Sequence, residues 1–515
     1  MNGAESLVRT LIDSDVDLCL SNPGTSEMHF VAALDKVPGM RCVLGLFEGV
    51  VTGAADGYYR MAERPAATLL HLGPGLGNGL ANLHNARKAR SGIVNIVGEH
   101  ARHHLEHDAP LTSDIAAVAR PMSDWVRTCV SSHELAADGA LAVEAARTAP
   151  GQIATLIVPA DTAWNEASQP SRANAPAARP AVSSVAVRDA AAALRVDEGC
   201  ALLLGGAAVF EAPLLLAGRI AAKTGCGLIT EYNSARLQRG AGRVSPPRVP
   251  YVVDSAMALL KGLRHIVLVG AKPPVGFFAY PDKPSLLAPA DCVFTTLATA
   301  GEDVTGALQA LADEMGASTT APTLVAEHRL PPLPQGPVTL DGAAAVIAAL
   351  LPAAAIVVDE AVSSGRGLGP VTRQAAPHEW LTSMGGAIGY GLPVAVGAAL
   401  ACPGRKVIAL EGDGSAMYTL QALWTMARES LDITIVVFAN RAYNILRGEF
   451  DNVGAGAPGQ RATDMLSLER PALDWCALAR GHGVEAGQAK DLGELATQLR
   501  RGLASQGPYL IELVM

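Results

Sequence analysis

The stretch 406–446 constrains this chain most, because two different hydrophobic periods follow one another within it. Val407 to Leu410 is a short apolar run of the kind that forms a strand buried on both faces. Gly412-Asp413-Gly414 interrupts it, and from Tyr418 to Arg428 the residues Leu420, Leu423, Trp424 and Ala427 recur at helical spacing. Ile433 to Phe438 is a second β-branched run, which Asn440 ends. The pattern predicts a strand–helix–strand unit with Asp413 and Asn440 at carboxyl ends of parallel strands, where open α/β sheets bind ligands. Asp413 offers a hard anionic oxygen, Asn440 a neutral one and the Ala442 carbonyl a third. That set suits Mg²⁺, which also borrows oxygens from a bound phosphate. Gly412 and Gly414 allow close backbone approach, and the amides opening the next helix, from Ser415 on, would face such a phosphate. Alone, Gly-Asp-Gly is an ordinary turn; its pairing with Asn440 across the 25 residues 415–439 carries the information.

Length and charge bound the rest. A chain of 515 residues has room for about three domains, and 50% hydrophobic against 17% charged residues supply large cores. The balance of 40 basic and 49 acidic side chains gives a net charge of −9. No basic cluster exists, which excludes a nucleic-acid partner. The eight cysteines are scattered without a CxxC pair, as in reduced cytoplasmic proteins. The start of the chain has no signal-peptide pattern, and no apolar run reaches the ~20 residues of a membrane span. A soluble cytoplasmic protein is expected.

Residues 1–165 alternate strand and helix signals, as a parallel α/β domain does. Strands are expected at 18–21, 42–46, 67–71 and 93–97, with turns at Asn22-Pro23-Gly24-Thr25-Ser26 and a glycine loop over Gly73–Gly79. Glu48 lies at a strand-to-helix junction amid Leu44, Leu46, Phe47 and Val50. Desolvation there would let it hold a proton near neutrality; equally, it fits a helix N-terminus stabilised by the macrodipole. His71 ends a strand before the glycine loop. That loop lacks the acidic residue about 20 positions on that a nicotinamide fingerprint needs. His100, His103, His104 and His107 carry metal-ligating groups without an ordered scaffold, so a loop at the mouth of a site is preferred to a zinc centre.

Residues 166–185 read as a linker, 186–325 as a second α/β domain, 326–337 as a proline-rich linker, and 338–515 as a third α/β domain. The fold class is therefore α/β, with three doubly wound parallel-sheet domains. Ser363 follows the strand at 355–359, where its hydroxyl would face a bound phosphate. Phe277, Phe278 and Ile388 each fit ordinary core positions when taken alone.

Gly412-Asp413-Gly414-Ser415 with Asn440 resembles the diphosphate/Mg²⁺ motif of thiamine-diphosphate-dependent enzymes of the acetolactate synthase and benzoylformate decarboxylase branch. In the first domain, Asn22-Pro23-Gly24, Phe47-Glu48-Gly49, Ala55-Asp56-Gly57-Tyr58, Gly73-Pro74-Gly75 and Asn78-Gly79 resemble, in order, that family's pyrimidine-binding domain. The resemblance implies that Glu48 bonds N1′ of the aminopyrimidine and promotes removal of the thiazolium C2 proton. It implies that the Gly386 carbonyl accepts from the 4′-amino group, that Ile388 props the cofactor into a bent form, and that Ile445 and Leu446 wall the substrate. His71 stands where benzoylformate-decarboxylase-like enzymes carry a histidine facing the substrate carboxylate, and Thr25 at their hydroxyl-bearing position.

Departures accompany the resemblance. His107 replaces the glutamine of the Gln-Asp-Ala stretch of acetolactate synthases, where it would serve as a proton shuttle. Phe277, Phe278 and Ala279 occupy the neighbourhood of the second histidine of benzoylformate decarboxylases, and Leu446 stands about where pyruvate decarboxylases place a glutamate. The central segment has no dedicated flavin signal, so FAD is not expected. The implied function is decarboxylation of a 2-oxo acid, carboligation to a 2-hydroxy ketone, or both, with thiamine diphosphate and Mg²⁺. Implied partners are a small 2-oxo acid or aldehyde and further copies of the chain, in a homodimer or homotetramer with shared sites. A benzoylformate-decarboxylase-like enzyme releasing aldehyde and a non-catalytic cofactor-binding paralogue are the alternatives.

Overall fold

In the computed structural model, which describes residues 1–195 and 198–515, the short apolar runs become strands of three sheets. The first contains β1 (Leu18–Asn22), β2 (Arg41–Leu44), β3 (Ala66–Leu70), β4 (Ile93–Glu99), β5 (Trp125–Thr128) and β6 (Ile153–Pro159), ordered β2-β1-β3-β4-β6-β5 and parallel throughout. The second contains β7 (Cys200–Leu204), β8 (Gly227–Thr230), β10 (His265–Val269) and β11 (Val293–Ala298), ordered β11-β10-β7-β8. The third contains β12 (Ile356–Glu360), β13 (His378–Thr382), β14 (Val407–Gly412), β15 (Ile433–Ala439), β16 (Glu485–Ala489) and β17 (Tyr509–Val514). Its order, β16-β17-β15-β14-β12-β13-β9, ends on an antiparallel strand, β9 (Leu237–Arg239), which the middle of the chain contributes. Part of the segment 186–325 thus belongs to the third sheet.

Strand residues alternate between faces, and both faces of these sheets are apolar. Leu18 and Leu20 enter one core and Cys19 another; Ala66 and Leu70 divide from Ala67 and Leu69 in the same way. The first of these cores also takes Ile356, Val358, Val407, Ala409, Ile433 and Ile435 from the third sheet. One hydrophobic core therefore spans the first and third domains, while the second domain has cores of its own.

Two helices fill the shared core: Glu48–Ala62, following β2, and Gly391–Ala401, preceding β14. Their small residues let the backbones meet. A Cβ at Gly397 would overlap the Ala54 carbonyl, and one at Gly57 would overlap the Val394 carbonyl. At Gly53 it would come within 2.6 Å of the Pro393 Cβ. The contact also buries an ion pair. Arg60 binds Asp56 through Nε (2.8 Å) and Nη2 (2.6 Å), and its Nη1 donates to the Thr382 carbonyl of the third sheet at 2.8 Å.

Three expectations need correction. Gly73–Gly79 is not a loop but the start of a helix, Leu72–Ala89. Packing overrides glycine's poor helix propensity there, because Cβ atoms would overlap Ser113 Oγ at Gly73 and crowd Thr52 at Gly79. The helix expected from Tyr418 begins only at Ala422, after turns through 418–421. The strand expected over 42–46 ends at Leu44, and Leu46 is exposed. Among the described residues no helix is long and apolar enough to cross a membrane.

Backbone oxygens cannot move aside as a side chain can, so Gly397→Ala is expected to destabilise by at least the ~1–3 kcal/mol typical of overpacking. Thermal unfolding of the two proteins checks this; an unchanged midpoint would mean that the helix pair is not close-packed.

Candidate active site

Each sheet is wound outward in two directions from one point, and that point is where loops at the carboxyl ends diverge and leave a crevice. In the first sheet the reversal lies between β1 and β3. It brings the turn after β1, with Thr25 exposed and Glu27 buried, against His71, which caps the helix after β3. His71 Nδ1 lies 2.8 Å from Glu27 Oε2. Glu48 opens its helix beside them, 8% exposed, and its Oε2 accepts from Asn78 Nδ2 at 3.0 Å. Gly75 separates the two groups: a Cβ there would lie 3.2 Å from Glu48 Oε1 and 3.4 Å from His71 Cβ.

In the third sheet the reversal lies between β12 and β14. There the 361–365 turn, with Ser363 half-buried and Ser364 buried, meets Gly412-Asp413-Gly414-Ser415, and Asn440 joins from the end of β15. Asp413 is 3% exposed; its oxygens accept from Gly414 N (2.9 Å) and Arg441 N (2.6 Å). Burial pushes its carboxyl above the usual range, against those two hydrogen bonds. Asn440 Oδ1 accepts from Ala442 N at 3.0 Å. The bridge to residues 466–468 uses Tyr443 N–H and the Arg441 carbonyl, which leaves out the Ala442 carbonyl. A Cβ at Gly414 would meet the Tyr443 ring at 2.6 Å. Ile445, half-buried, and Leu446, 44% exposed, lie on the helix Asn444–Asn452 that follows.

The Gly385–Gly389 loop hangs from the first domain. Asn85 holds Ala387 at both its carbonyl (2.9 Å) and its N–H (3.2 Å), and His84 Nε2 lies 3.1 Å from the Gly385 carbonyl. Asn82 Nδ2 bridges the carbonyls of Gly49 (2.8 Å) and Gly389 (3.1 Å). Gly386 has φ +76°, and a Cβ there would meet Phe277 Cζ at 2.6 Å. Ile388 is half-buried in this loop. Phe277 in turn packs on Tyr251 and Phe278, with ring centroids 5.5 and 5.1 Å away, and Tyr232 lies 6.4 Å off. Tyr251 and Tyr280 donate to Glu449, at 3.3 and 3.0 Å, from the helix after Asn440.

The structure thus groups Thr25, His71 and Glu48 at one switch point, and Ser363, Gly412, Asp413, Gly414, Ser415, Asn440 and Ala442 at another. His107 joins neither. It sits on an exposed 3₁₀ turn, Arg102–His107, beside Glu106 and the His104 ring. Among the described residues no three His, Cys, Asp or Glu side chains are arranged for a metal. No hydrogen bond among the described residues joins the Glu48 carboxylate to the Gly386–Asp413 group.

Several residues escaped the sequence reading. Glu27 is the first acid after Asn22-Pro23-Gly24, a signal that was available. Asn82 and Asn85 sit at helical spacing from Asn78 and nothing marked them. Glu360 and Glu411, buried at the carboxyl ends of β12 and β14, carried no signal that they face each other. Glu360 accepts from the N–H groups of Gly389, Tyr390 and Gly391 at the start of the Gly391–Ala401 helix.

The N- and C-terminal parts of the chain match two family models. Residues 1–119 match the thiamine pyrophosphate enzyme N-terminal TPP binding domain, and residues 365–513 the C-terminal TPP binding domain. The chain belongs to the thiamine pyrophosphate enzyme family. A Mycobacterium tuberculosis H37Rv protein named as an acetolactate synthase large subunit, IlvX, is 51% identical over 516 residues, covering 100% of this chain and 99% of that protein. A benzoylformate decarboxylase of Pseudomonas aeruginosa is 31% identical, covering 96% and 94%. The thiamine diphosphate-dependent 4-hydroxybenzoylformate decarboxylase of Rhodococcus jostii RHA1 shares the fold with a TM-score of 0.85 at 23% identity, over 99% of this chain and 98% of that one. Benzoylformate decarboxylase of Polynucleobacter necessarius does so with a TM-score of 0.80 at 20% identity, over 100% and 99%.

Glu360 and Glu411 make stability depend on pH. Burial raises the Glu360 carboxyl to about 7, and burial together with the Glu360 charge raises Glu411 well above the usual range. Above the ordinary carboxyl pKa the folded pair keeps protons that the unfolded chain has released, so stability falls as pH rises, up to about 7 for Glu360 and well above the usual carboxyl range for Glu411. Glu411→Gln is expected to flatten that slope by up to ~1.4 kcal/mol per pH unit, measured by denaturant unfolding across that pH range. Parallel wild-type and variant curves would show that Glu411 carries no such proton.

Proposed function

We propose that this enzyme removes carbon dioxide from a 2-oxo acid with an aromatic side chain, using thiamine diphosphate and Mg²⁺. The carbon that lost it would then be protonated to an aldehyde or joined to a second carbonyl. The observation that supports this most is the pairing of a buried Glu48, held by Asn78, with a buried Asp413 beside Asn440. The donor chemistry fits the absent groups. Asp413, Asn440 Oδ1 and the Ala442 carbonyl are hard oxygens suited to Mg²⁺, and the buried Asp413 carboxylate, bonded only to backbone N–H groups, gains a counter-charge from the ion.

Thiamine diphosphate, when bound, supplies the electron sink for decarboxylation. The residues of this chain do the remainder. Gly412, Gly414, Ser415 and Ser363 line the diphosphate position, and the cramped space at Gly414 keeps out any larger side chain. The Gly386 carbonyl orients the aminopyrimidine, and Ile388 and Ile445 pack against the cofactor. Glu48 faces the ring nitrogen. His71 and Thr25 receive the carboxylate of the substrate. Two copies of the chain would complete each site, Glu48 of one facing Gly386 and Asp413 of the other. The thiols and charge balance read from the sequence suit a cytoplasmic setting.

The substrate side chain follows from the wall beside Gly386. Phe277, Phe278, Tyr251 and Tyr232 form a continuous aromatic surface there, with Phe277 44% and Phe278 55% exposed. Such a surface gains little from the methyl group of pyruvate and far more from a flat ring. The name of the M. tuberculosis relative points instead to ligation of two small 2-oxo acids.

Product analysis with thiamine diphosphate and Mg²⁺ separates these readings. Benzoylformate is expected to yield an aldehyde, and Glu48→Gln to lose at least ~10²-fold in turnover, as removal of an acid–base group does. Acetolactate from pyruvate, with no reaction of benzoylformate, would move the assignment to the synthase; no loss of carbon dioxide from either acid would overturn the substrate class.

A further inference from the structure

The turn after β1 does more than display Thr25. Its Glu27 is 3% exposed and lies behind His71. Glu27 Oε2 accepts from Gly24 N–H at 2.8 Å and meets His71 Nδ1 at 2.8 Å. Glu27 Oε1 is buried without a hydrogen-bond partner, at a small pocket lined by Leu7, Phe30, Leu69, Ile96 and Leu135. That lining contains no other charged group. Two glycines make room for the pair: a Cβ at Gly24 would overlap the His71 imidazole, and one at Gly98 would overlap Glu27 Oε1. The other ring nitrogen, Nε2, has no protein partner among the described residues, and the His71 side chain is 23% exposed. The His71 Cβ and Glu48 Oε1 face the same space beside Gly75.

We propose that Glu27 is a positioning residue that works through His71, forming with it a dyad that keeps a hydrogen on His71 Nε2 and points it at the anionic group of the substrate. The substrate end of this inference rests on the function proposed above; the dyad itself does not.

The reason is proton bookkeeping in a buried place. Two protons can be shared among Glu27 Oε2, His71 Nδ1 and His71 Nε2. With Glu27 ionised, both ring nitrogens carry hydrogen, and Nδ1–H donates to the carboxylate. With Glu27 protonated, its O–H donates to Nδ1, and the hydrogen of the neutral ring is on Nε2. Both arrangements are electrically neutral overall, and both present Nε2–H to the site. Only loss of one proton leaves a bare Nε2, and that state leaves an uncompensated carboxylate in an apolar pocket, which burial penalises. Burial accordingly raises the Glu27 carboxyl above its usual range, partly offset by the Gly24 and His71 bonds. A neutral histidine outside such a pair is free to carry its hydrogen on either nitrogen.

Glu27→Gln inverts this logic at constant shape. The amide oxygen must take the Oε2 position, because Gly24 N–H needs an acceptor there. It then accepts His71 Nδ1–H as well, so the ring is neutral and Nε2 is a bare acceptor facing the substrate carboxylate.

The test combines two readouts on the full chain. In nitrogen-15-histidine spectra of the cofactor-free protein at neutral pH, the His71 signals, assigned by their absence from His71→Ala, are expected to report a protonated Nε2 in the wild type and an unprotonated one in Glu27→Gln. With the holoenzyme, Glu27→Gln is expected to lower kcat/KM for the 2-oxo acid about 10- to 100-fold, the scale of a lost charge-assisted hydrogen bond. In the His71→Ala background the same change should cost nothing further, since Glu27 acts only through that ring. An unprotonated wild-type Nε2, or an equal loss from Glu27→Gln with and without His71, would overturn the proposal and make Glu27 a structural residue. If the wild type turns over no 2-oxo acid, the functional reading fails while the spectra still decide the dyad.

Discussion

Close approach of two backbones, those of the Glu48–Ala62 and Gly391–Ala401 helices, is the constraint on which the site depends. Gly57 and Gly397 are each pressed against a carbonyl of the opposite helix, so the separation of the two helices is set by main-chain atoms rather than by adaptable side chains. The first of these helices begins with Glu48. The second begins where Glu360 gathers the N–H groups of Gly389, Tyr390 and Gly391. A change in their spacing would therefore move the acid and the Gly385–Gly389 loop together. Asn82, which bonds the carbonyls of both Gly49 and Gly389, ties the same two points from a third direction. Arg60, bound to Asp56 and to the Thr382 carbonyl, ties the far end. Its removal would leave a buried carboxylate unpaired, which typically costs several kcal/mol.

Much of this was legible in the sequence, and the physical reasons are specific. Strands buried on both faces need continuous apolar runs, and the runs at 407–410 and 433–438 became β14 and β15 with Asp413 and Asn440 at their ends. The three-sheet organisation and the family followed from motifs whose spacing reflects where strands stop. What the sequence hid was set by contacts between distant segments. Gly73–Gly79 reads as a loop by propensity, yet it is helical because only glycine lets that helix lie against Ser113, Glu48 and Thr52. The strand Leu237–Arg239 crosses to the third sheet, a partnership no local pattern announces. Glu411 falls within an apolar strand, and only the tertiary structure places it beside a second buried acid. The histidine run had suggestive composition, but composition cannot say that His103, His104 and His107 are exposed while His100 turns its Nε2 inward.

The same distinction separates the two halves of the site. Asp413, Asn440 and Gly386 carry local signals because each sits at a feature of backbone geometry: a strand end, a turn, a positive φ. Glu27, Asn82 and Asn85 carry none, because each acts by reaching another segment. Sequence reading recovers the groups that would touch a cofactor more readily than the groups that hold those groups still.

Backbone strain falls at three of these places, as it does at turns elsewhere in the described residues. Leu72, Val362 and Arg441 adopt φ values of +49°, +49° and +57°. Such a conformation is uncommon for any residue with a side chain and costly for a β-branched one. Each lies at the carboxyl end of a strand: Leu72 after His71, Val362 before Ser363, Arg441 after Asn440. Strain of this kind persists only where surrounding structure over-determines it, and here the surroundings are identifiable. Leu72 is fully buried in the shared core, Arg441 N–H is held by Asp413, and the turn at Val362 is closed by the bond from Ser364 N–H to the Ala361 carbonyl. The close-packed core that fixes the helix pair thus also supports the unfavourable turns that aim His71, Ser363 and Asn440 into the crevices. A looser core would relax those turns first, and the site would lose its geometry before the sheets lost theirs.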